Sequence, residues 1–203
     1  MVITNLLVKR KRGDEHPLEE VRSFEVDENG IVGASPASIT RHVLFLPKQI
    51  LEKFSLIPGD FRENIIVDGA NIHALKSGTV LLIGAVKIRL TYHCEPCKRV
   101  RKFGFIKDVI HKRGYLGTVL NAGTINVNDK IEISQTEFFD VIPYDTKERI
   151  QWYLNQQKNP VSAAQITVDL GFIKAIEKVI PKMVEKMGPH YQKLLLTEVT
   201  REL

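Results

Sequence analysis

The stretch Leu75–Cys97, "LKSGTVLLIGAVKIRLTYHCEPC", decides what kind of fold this chain adopts. Its apolar residues fall into two short runs broken at Gly84. In the second run Val86, Ile88 and Leu90 alternate with Lys87, Arg89 and Thr91. A period of two marks a strand with one face on a core, so the stretch reads as two strands ending at a pair of cysteines. The same texture extends on both sides. "VRSFEVDENGIVG" (21–33) gives two short strands around a turn at Glu28-Asn29-Gly30, and "RHVLFL" (41–46) is an apolar strand. "NIIVDG" (64–69) is a strand closed by Asp68-Gly69. "YLGTVLNAGTINVNDKIEIS" (115–134) offers two or three more, with turns at Asn121-Ala122-Gly123 and Asn128-Asp129. Among them "PKQILEKFSLIPGD" (47–60) reads as a helix, with Pro47 in its first turn and Ile50, Leu51 and Phe54 on one face. Many short strands punctuated by Gly, Asn and Asp predict a mainly β fold, a closed or nearly closed β-barrel with one short covering helix.

After "EFFDVIPYDT" (137–146) the period changes to three or four. Asp145 or Thr146 is placed to cap a helix carrying Ile150, Tyr153 and Leu154, and Asn159-Pro160 breaks it. Ser162 is placed to cap a second helix ending at Gly171. A third carries Ile173, Ile176, Ile180, Met183, Val184 and Met187 on one side, with Pro181 kinking or shortening it. The expected organisation is a barrel domain over 1–137 followed by a small helical appendage over 138–203.

The chain has 203 residues, 43% of them apolar, enough for a packed core without disulfide staples. No apolar run reaches a membrane span, and the first residues carry their charges after the apolar run, the reverse of a secretory signal. The only two cysteines, Cys94 and Cys97, would close too small a loop to serve as a structural crosslink. The expectation is a cytoplasmic protein with both thiols reduced. The net charge of +5 is unevenly placed. Lys98, Arg99, Arg101, Lys102, Lys107, Lys112 and Arg113 face the single acid Asp108, and Lys9, Arg10, Lys11 and Arg12 form a second cluster. Positive charge around the cysteines suits an anionic ligand, a phosphate-bearing group or a nucleic acid.

"YHCEPCKRV" (92–100) admits three chemistries and a bland alternative of two inert buried thiols. A structural zinc site needs four ligands, and here there is one knuckle with His93 adjacent to Cys94 and His111 the other nearby candidate, which argues against zinc. A thioredoxin-like pair needs a helix directly after the first cysteine, and "KRVRKFGF" has little helical character. The third chemistry is a single working sulfur, Cys97, with Pro96 fixing the backbone before it, Lys98, Arg99 and Arg113 favouring thiolate, and Cys94 as resolving partner or filler.

"GDFRENIIVDG" (59–69), "LKSGTVLLIGAVKIRLTYHCEPC" (75–97) and "KRGYLGTVLNAGTINVNDKIEI" (112–133) resemble, in this order, the MOSC domain, the C-terminal domain of molybdenum-cofactor sulfurases. The resemblance covers roughly residues 20–135. It departs where the family has Gly-Asp-x-x-His, since this chain reads "GASPASITRH", with His42 elsewhere, and Asn128 stands where glycine is usual. It implies a β-barrel in which Cys97 carries sulfane sulfur or ligates molybdenum in a bound pterin, molybdopterin. Under it, Arg62, Lys98, Arg99 and Arg113 are candidates for the cofactor phosphate, and Glu63 and Asn64 orient their turn or hydrogen-bond the pterin. His111 is a candidate proton donor by position. The implied partners are a sulfur donor or a redox protein, and the implied activity is sulfur transfer or a small molybdenum-dependent reductase. The tail "FFDVIPYDTKERIQWYL" with "NPVSAAQITVDLG" is similar to the helix-turn-helix, DNA-binding part of alkylguanine-DNA methyltransferases. Lys174, Lys178 and Lys182 on one helical face would then be phosphate contacts, so a nucleic-acid-binding module is the alternative, and a non-catalytic scaffold a third.

Overall fold

The computed structural model describes residues 1–11, 17–35, 38–97 and 106–196, with the backbone alone for Ile106. They divide into two compact units, Met1–Val141 and Ile142–Leu203.

The first unit is built from β1 (Val2–Val8), β2 (Glu19–Val21), β3 (Ser23–Asp27), β4 (Gly30–Ile31), β5 (Val43–Pro47), β6 (Ile65–Asp68), β7 (Thr79–Ile83), β8 (Val86–His93), β9 (Tyr115–Val119), β10 (Gly123–Asn126) and β11 (Ile131–Phe138). Eight of these form one sheet, ordered β11-β7-β8-β9-β5-β6-β1-β2, and β10-β3-β4 form a smaller one. The two runs of the opening stretch are β7 and β8, paired antiparallel from Val80–Arg89 to Ile83–Val86. Gly84 turns between them at φ +57°. Alternation has its expected consequence: Val86, Ile88 and Leu90 are buried, while Lys87 and Arg89 are half-exposed.

The large sheet curls until its ends meet. The amide of Ile3 donates to the Asp129 carbonyl at 3.0 Å, that of Asn128 to Ile3 at 2.9 Å and that of Ile131 to Met1 at 2.8 Å. Val2 and Lys130 bridge the same gap. Ile3, Leu6, Phe45, Ile65, Leu81, Ile88, Leu90 and Tyr115 fill the interior. A second cluster, Leu7, Leu46, Leu51, Phe61, Ile66 and Val109, lies on the other face, joined by Ile50 and Phe54 of helix α1 (Lys48–Phe54). β5 is therefore buried on both faces, which is why "VLFLP" is continuously apolar rather than alternating. β5 also extends through Pro47, whose ψ of 134° is extended, so the helix begins one residue later than the expected first turn.

The second unit contains helices Thr146–Leu154, Ala163–Asp169, Lys174–Glu177, Ile180–Glu185 and Pro189–Gln192. Its core is Ile150, Tyr153, Leu154, Ile166, Leu170, Ile180, Val184 and Leu195. Asp145 caps the first helix through the amides of Lys147 and Glu148 at 2.8 and 3.1 Å, and Ser162 caps the second through Gln165 at 3.0 Å. Gly171, at φ +64°, ends the second: its amide reaches Val168 and that of Phe172 reaches Thr167, the paired bonds of a Schellman turn. The single third helix is corrected. Pro181 cannot donate an amide to a preceding turn, and it sits at the start of a new helix, so the segment is two short pieces. Lys174, Lys178 and Lys182 therefore do not share one continuous helical face, and Lys174 pairs with Glu177 at 2.6 Å. Among the described residues, no helix is long and apolar enough to cross a membrane.

Candidate functional site

The site forms where the end of β8 meets two distant segments. Residues 90–93 of β8 face residues 117–115 of β9 with one residue extra, a bulge between Leu90 and His93. Such a bulge bends the strand and re-aims its side chains, and bulges recur beside active sites. Beyond it the pairing continues as His93 with Tyr115, and the amide of Cys94 donates to the Gly114 carbonyl at 2.9 Å.

Arg113, only 5% exposed, is the centre of the arrangement. One terminal nitrogen, Nη1, donates to Cys94 Sγ at 2.8 Å and to the Glu95 carbonyl at 2.6 Å. The other reaches the Phe61 carbonyl at 3.4 Å. One guanidinium thus gathers the cysteine segment, the turn at 59–64 and the start of β9. Arg41 binds from another side, donating to the Tyr92 hydroxyl at 2.9 Å and pairing with Glu95. Burial opposes the Arg41 charge, but Tyr92 and Glu95 outweigh it and hold the guanidinium above its ordinary range. Burial pushes the Cys94 thiol up, against the pull of Arg113 and Arg41. Cys94 is therefore a buried protonated thiol and an anchor for Arg113, whereas Cys97 is half-buried; neither is in a disulfide.

The candidates around the 59–64 turn separate by role. Glu63 is fully buried and accepts from the amides of Gly59 at 2.7 Å and Phe61 at 3.1 Å. Burial raises its carboxyl above the ordinary value, and those amides pull the other way. Asn64 accepts from the Leu44 amide at 3.0 Å and donates to the Leu7 carbonyl at 3.1 Å, zipping β5 to β1. Both side chains are engaged with main chain, so of the two roles open to them the structure displays the orienting one. Arg62 stands in the same turn at φ +65°. Lys98 and Arg99 lie outside the described residues. His42 is buried and accepts from the Val119 amide at 3.1 Å, so it belongs to the sheet.

Sequence reasoning missed a second cluster. His93 packs edge-on to Tyr115, to His73 in the turn Ile72–Ala74, and to His111, with centroids 4.4, 5.6 and 5.3 Å away. Its Nδ1 lies 3.2 Å from His111 Nδ1 and its Nε2 3.2 Å from the His73 carbonyl. Burial lowers the pKa of His93, with His111 adding, and lowers that of His73 to about 4, with His93 and Lys112 adding. The available signal was His93 itself, at the last position of an alternating strand; it was weighed there only as a metal ligand. Among the described residues, no group of three His, Cys, Asp or Glu side chains is placed to hold a metal ion.

Fold and site together describe a curled β-barrel domain in which the chain just beyond β8 sets the Cys94 thiol against Arg113, with Arg41 nearby. Residues 34–132 match the family model of the MOSC domain. In structure the chain is similar to the YuaD protein of Bacillus subtilis, at 14% identity and a TM-score of 0.56, covering 69% of this chain and 98% of that one. It is also similar to YiiM from Escherichia coli, at 18% and 0.52 over 97% of this chain and 100% of that one. YiiM from Geobacillus stearothermophilus matches at 15% and 0.54 over 90% and 98%. At these identities the likeness is one of fold. A sequence search of curated proteins found no match. The resemblance of the tail to alkylguanine-DNA methyltransferases finds no counterpart in these comparisons.

Proposed function

We propose that this MOSC-domain protein accepts and passes on sulfane sulfur at Cys97. The observation that carries the reading is the contrast between the two thiols: Cys94 is buried and held by Arg113, while Cys97, three residues on, is half-buried. A clamp on the first fixes the chain that presents the second. In the transfer, the Cys97 thiolate attacks the outer sulfur of a donor persulfide. The donor S–S bond breaks as the Cys97 S–S bond forms, and the donor leaves as a thiolate that takes up the proton Cys97 gave up. No net oxidation or reduction occurs. The lysines and arginines that follow Cys97 in the sequence would steer an anionic donor toward it.

The family's association with the molybdenum cofactor was weighed against the donors present. A pterin phosphate asks for bidentate guanidinium groups and free amide donors. Arg113 has committed both terminal nitrogens to Cys94, Glu95 and Phe61, its buried Nε has no partner among the described residues, and Glu63 and Asn64 are taken up by main chain. Three of the four described candidates, Arg113, Glu63 and Asn64, are thus committed to protein atoms, with Arg62 the fourth, and for that reason the sulfur-transfer reading is preferred.

The test is to treat the reduced protein with a small-molecule persulfide and map adducts by peptide mass spectrometry. One extra sulfur on the Cys97 peptide, abolished by Cys97→Ser, is the expected result. An unmodified Cys97, or molybdenum retained stoichiometrically through purification, would overturn the reading.

A further inference from the structure

We propose that Arg41 is a positioning residue for sulfur transfer, acting through Glu95 to fix the main chain that carries Cys97. The inference deepens the reading of Cys97 as the working sulfur and rests on it. It starts from the three residues Glu95-Pro96-Cys97. The carbonyl of Glu95 lies in one rigid peptide plane with the Cα of Pro96. The proline ring locks φ of Pro96, so its ψ is the one soft main-chain rotation between that plane and the Cα of Cys97. Whatever orients Glu95 therefore sets where Cys97 sits. Arg113 holds the plane at one point, donating to the Glu95 carbonyl at 2.6 Å. A single contact leaves the plane able to swing about it. The second hold is on the Glu95 side chain, whose carboxylate pairs with Arg41. Carbonyl and side chain leave the Glu95 Cα in different directions, so two guanidinium groups grip one residue at two places.

Arg41 serves as a fixed post because the residues on both sides of it are tied to the strands of the site. Before it, the Thr40 hydroxyl lies 3.2 Å from the Tyr92 hydroxyl, and the Thr40 carbonyl accepts from the Thr91 hydroxyl at 2.8 Å. After it, His42 accepts from the Val119 amide at 3.1 Å. The Nε of Arg41 donates to the Tyr92 hydroxyl at 2.9 Å, and Tyr92 is buried in β8, so the guanidinium is aimed by the strand as well as by Glu95. The ion pair itself is only partly covered, with the Arg41 side chain 26% exposed and that of Glu95 29%. A pair so open to water adds little to the stability of the whole fold. What it supplies is placement, and a misplacement of about 1 Å at a reacting group costs up to about a hundredfold in rate.

The test has one arm that needs no sulfur. Nitrogen-15 relaxation reads the order parameter of the Cys97 amide, expected at about 0.85 in the wild type and below about 0.6 in Arg41→Gln and in Glu95→Gln. In the other arm, sulfur uptake from the small-molecule persulfide is timed on the Cys97 peptide. Each single variant is expected to load about tenfold more slowly. The double variant should be no slower than either, because both changes remove the same contact. Arg41→Lys, which keeps the charge without the planar fork, should recover part of the rate. Melting temperatures should stay within a few degrees of the wild type. Glu95→Gln, which leaves Arg41 bonded to Tyr92, carries the test if Arg41→Gln does not fold. An unchanged Cys97 amide in the variants, losses that multiply in the double variant, or a rate that merely tracks a falling melting temperature would overturn the positioning role. A loosened Cys97 amide in the variants, beside a wild-type Cys97 that takes up no sulfur, would instead sink the transfer reading and leave the hold of Arg41 on this loop standing.

Discussion

At the scale of single residues, Arg113 should be the most costly side chain in the site to lose. Its fork closes three segments at once, and each accepting group it serves is buried or half-buried. Arg113→Met is expected to lower unfolding free energy by about 2–4 kcal/mol in urea titrations, since it strands buried acceptors as well as removing bonds. Arg113→Lys should recover only part of that, because one ammonium cannot reproduce the planar fork. Asn128 answers a different question, why a chain that departs from the family's glycine still turns there. Its φ is +73°, a region asparagine enters at small cost. The histidines set a pH response. Burial lowers the pKa of His42, His73 and His93, that of His73 to about 4, from an ordinary value of 6.5. Below 6.5 the unfolded chain therefore binds protons that the folded chain does not, and stability falls as pH falls toward 4. Glu63 acts in the opposite sense: its raised carboxyl contributes stability below the unfolded value of 4.5, lost as pH rises through its folded value. Three imidazoles against one carboxyl leave a net loss on the acid side. The urea midpoint should drop between about pH 7 and about pH 5, and His73→Phe should flatten the drop. A level wild-type profile would contradict this.

At the scale of elements, the β8–β9 pair decides where the site can be. Gly114, at φ +122°, carries the carbonyl that receives the Cys94 amide, and a Cβ there would lie 2.6 Å from the Phe45 carbonyl oxygen. Gly114→Ala therefore adds strain and a backbone collision together, with an expected loss of about 3 kcal/mol, readable as a lower melting temperature. Gly117→Ala, where a Cβ would meet Ile88 Cγ2 at 2.7 Å, tests crowding across the same pair without a positive φ and should cost less. What the sequence disclosed at this scale was the pairing texture: Val86, Ile88 and Leu90 announced β8, and Gly84 announced its turn. It disclosed neither the bulge after Leu90 nor its effect, because an extra residue is defined only by the partner strand. Hence His93 and His111 were weighed as metal ligands, and His111 as a proton donor by position, but not as a contacting pair, and Glu63 and Asn64 looked available to a ligand. Helix ends were more legible. Asp145, Ser162, Gly171 and Pro181 act through their immediate neighbours, and local chemistry is what a sequence shows most directly.

At the scale of the whole molecule, the two units each hold their own core. Every buried apolar residue of the barrel clusters precedes residue 132, and every one of the helical cluster follows residue 149. The change of period near Glu137 was visible because helix and strand impose different spacings on apolar residues. How the strands order themselves, with β5 set between β6 and β9, was not, since that order depends on contacts far apart in the chain. Separate cores predict separate folding. A fragment of residues 1–141 should remain soluble and melt cooperatively, because the strand ends joined through Ile3, Asn128 and Ile131 all lie within it. A fragment of residues 142–203 should be helical but marginal, since a chain of about 60 residues buries only about 60% of its unfolded surface. Circular dichroism melts of both fragments and of the full chain provide the measurement. In the full chain, the barrel transition should fall within a few degrees of that of the isolated 1–141 fragment. If 1–141 alone unfolds or aggregates, the barrel depends on residues beyond its own core, and the division at Val141–Ile142 does not separate independent folding units.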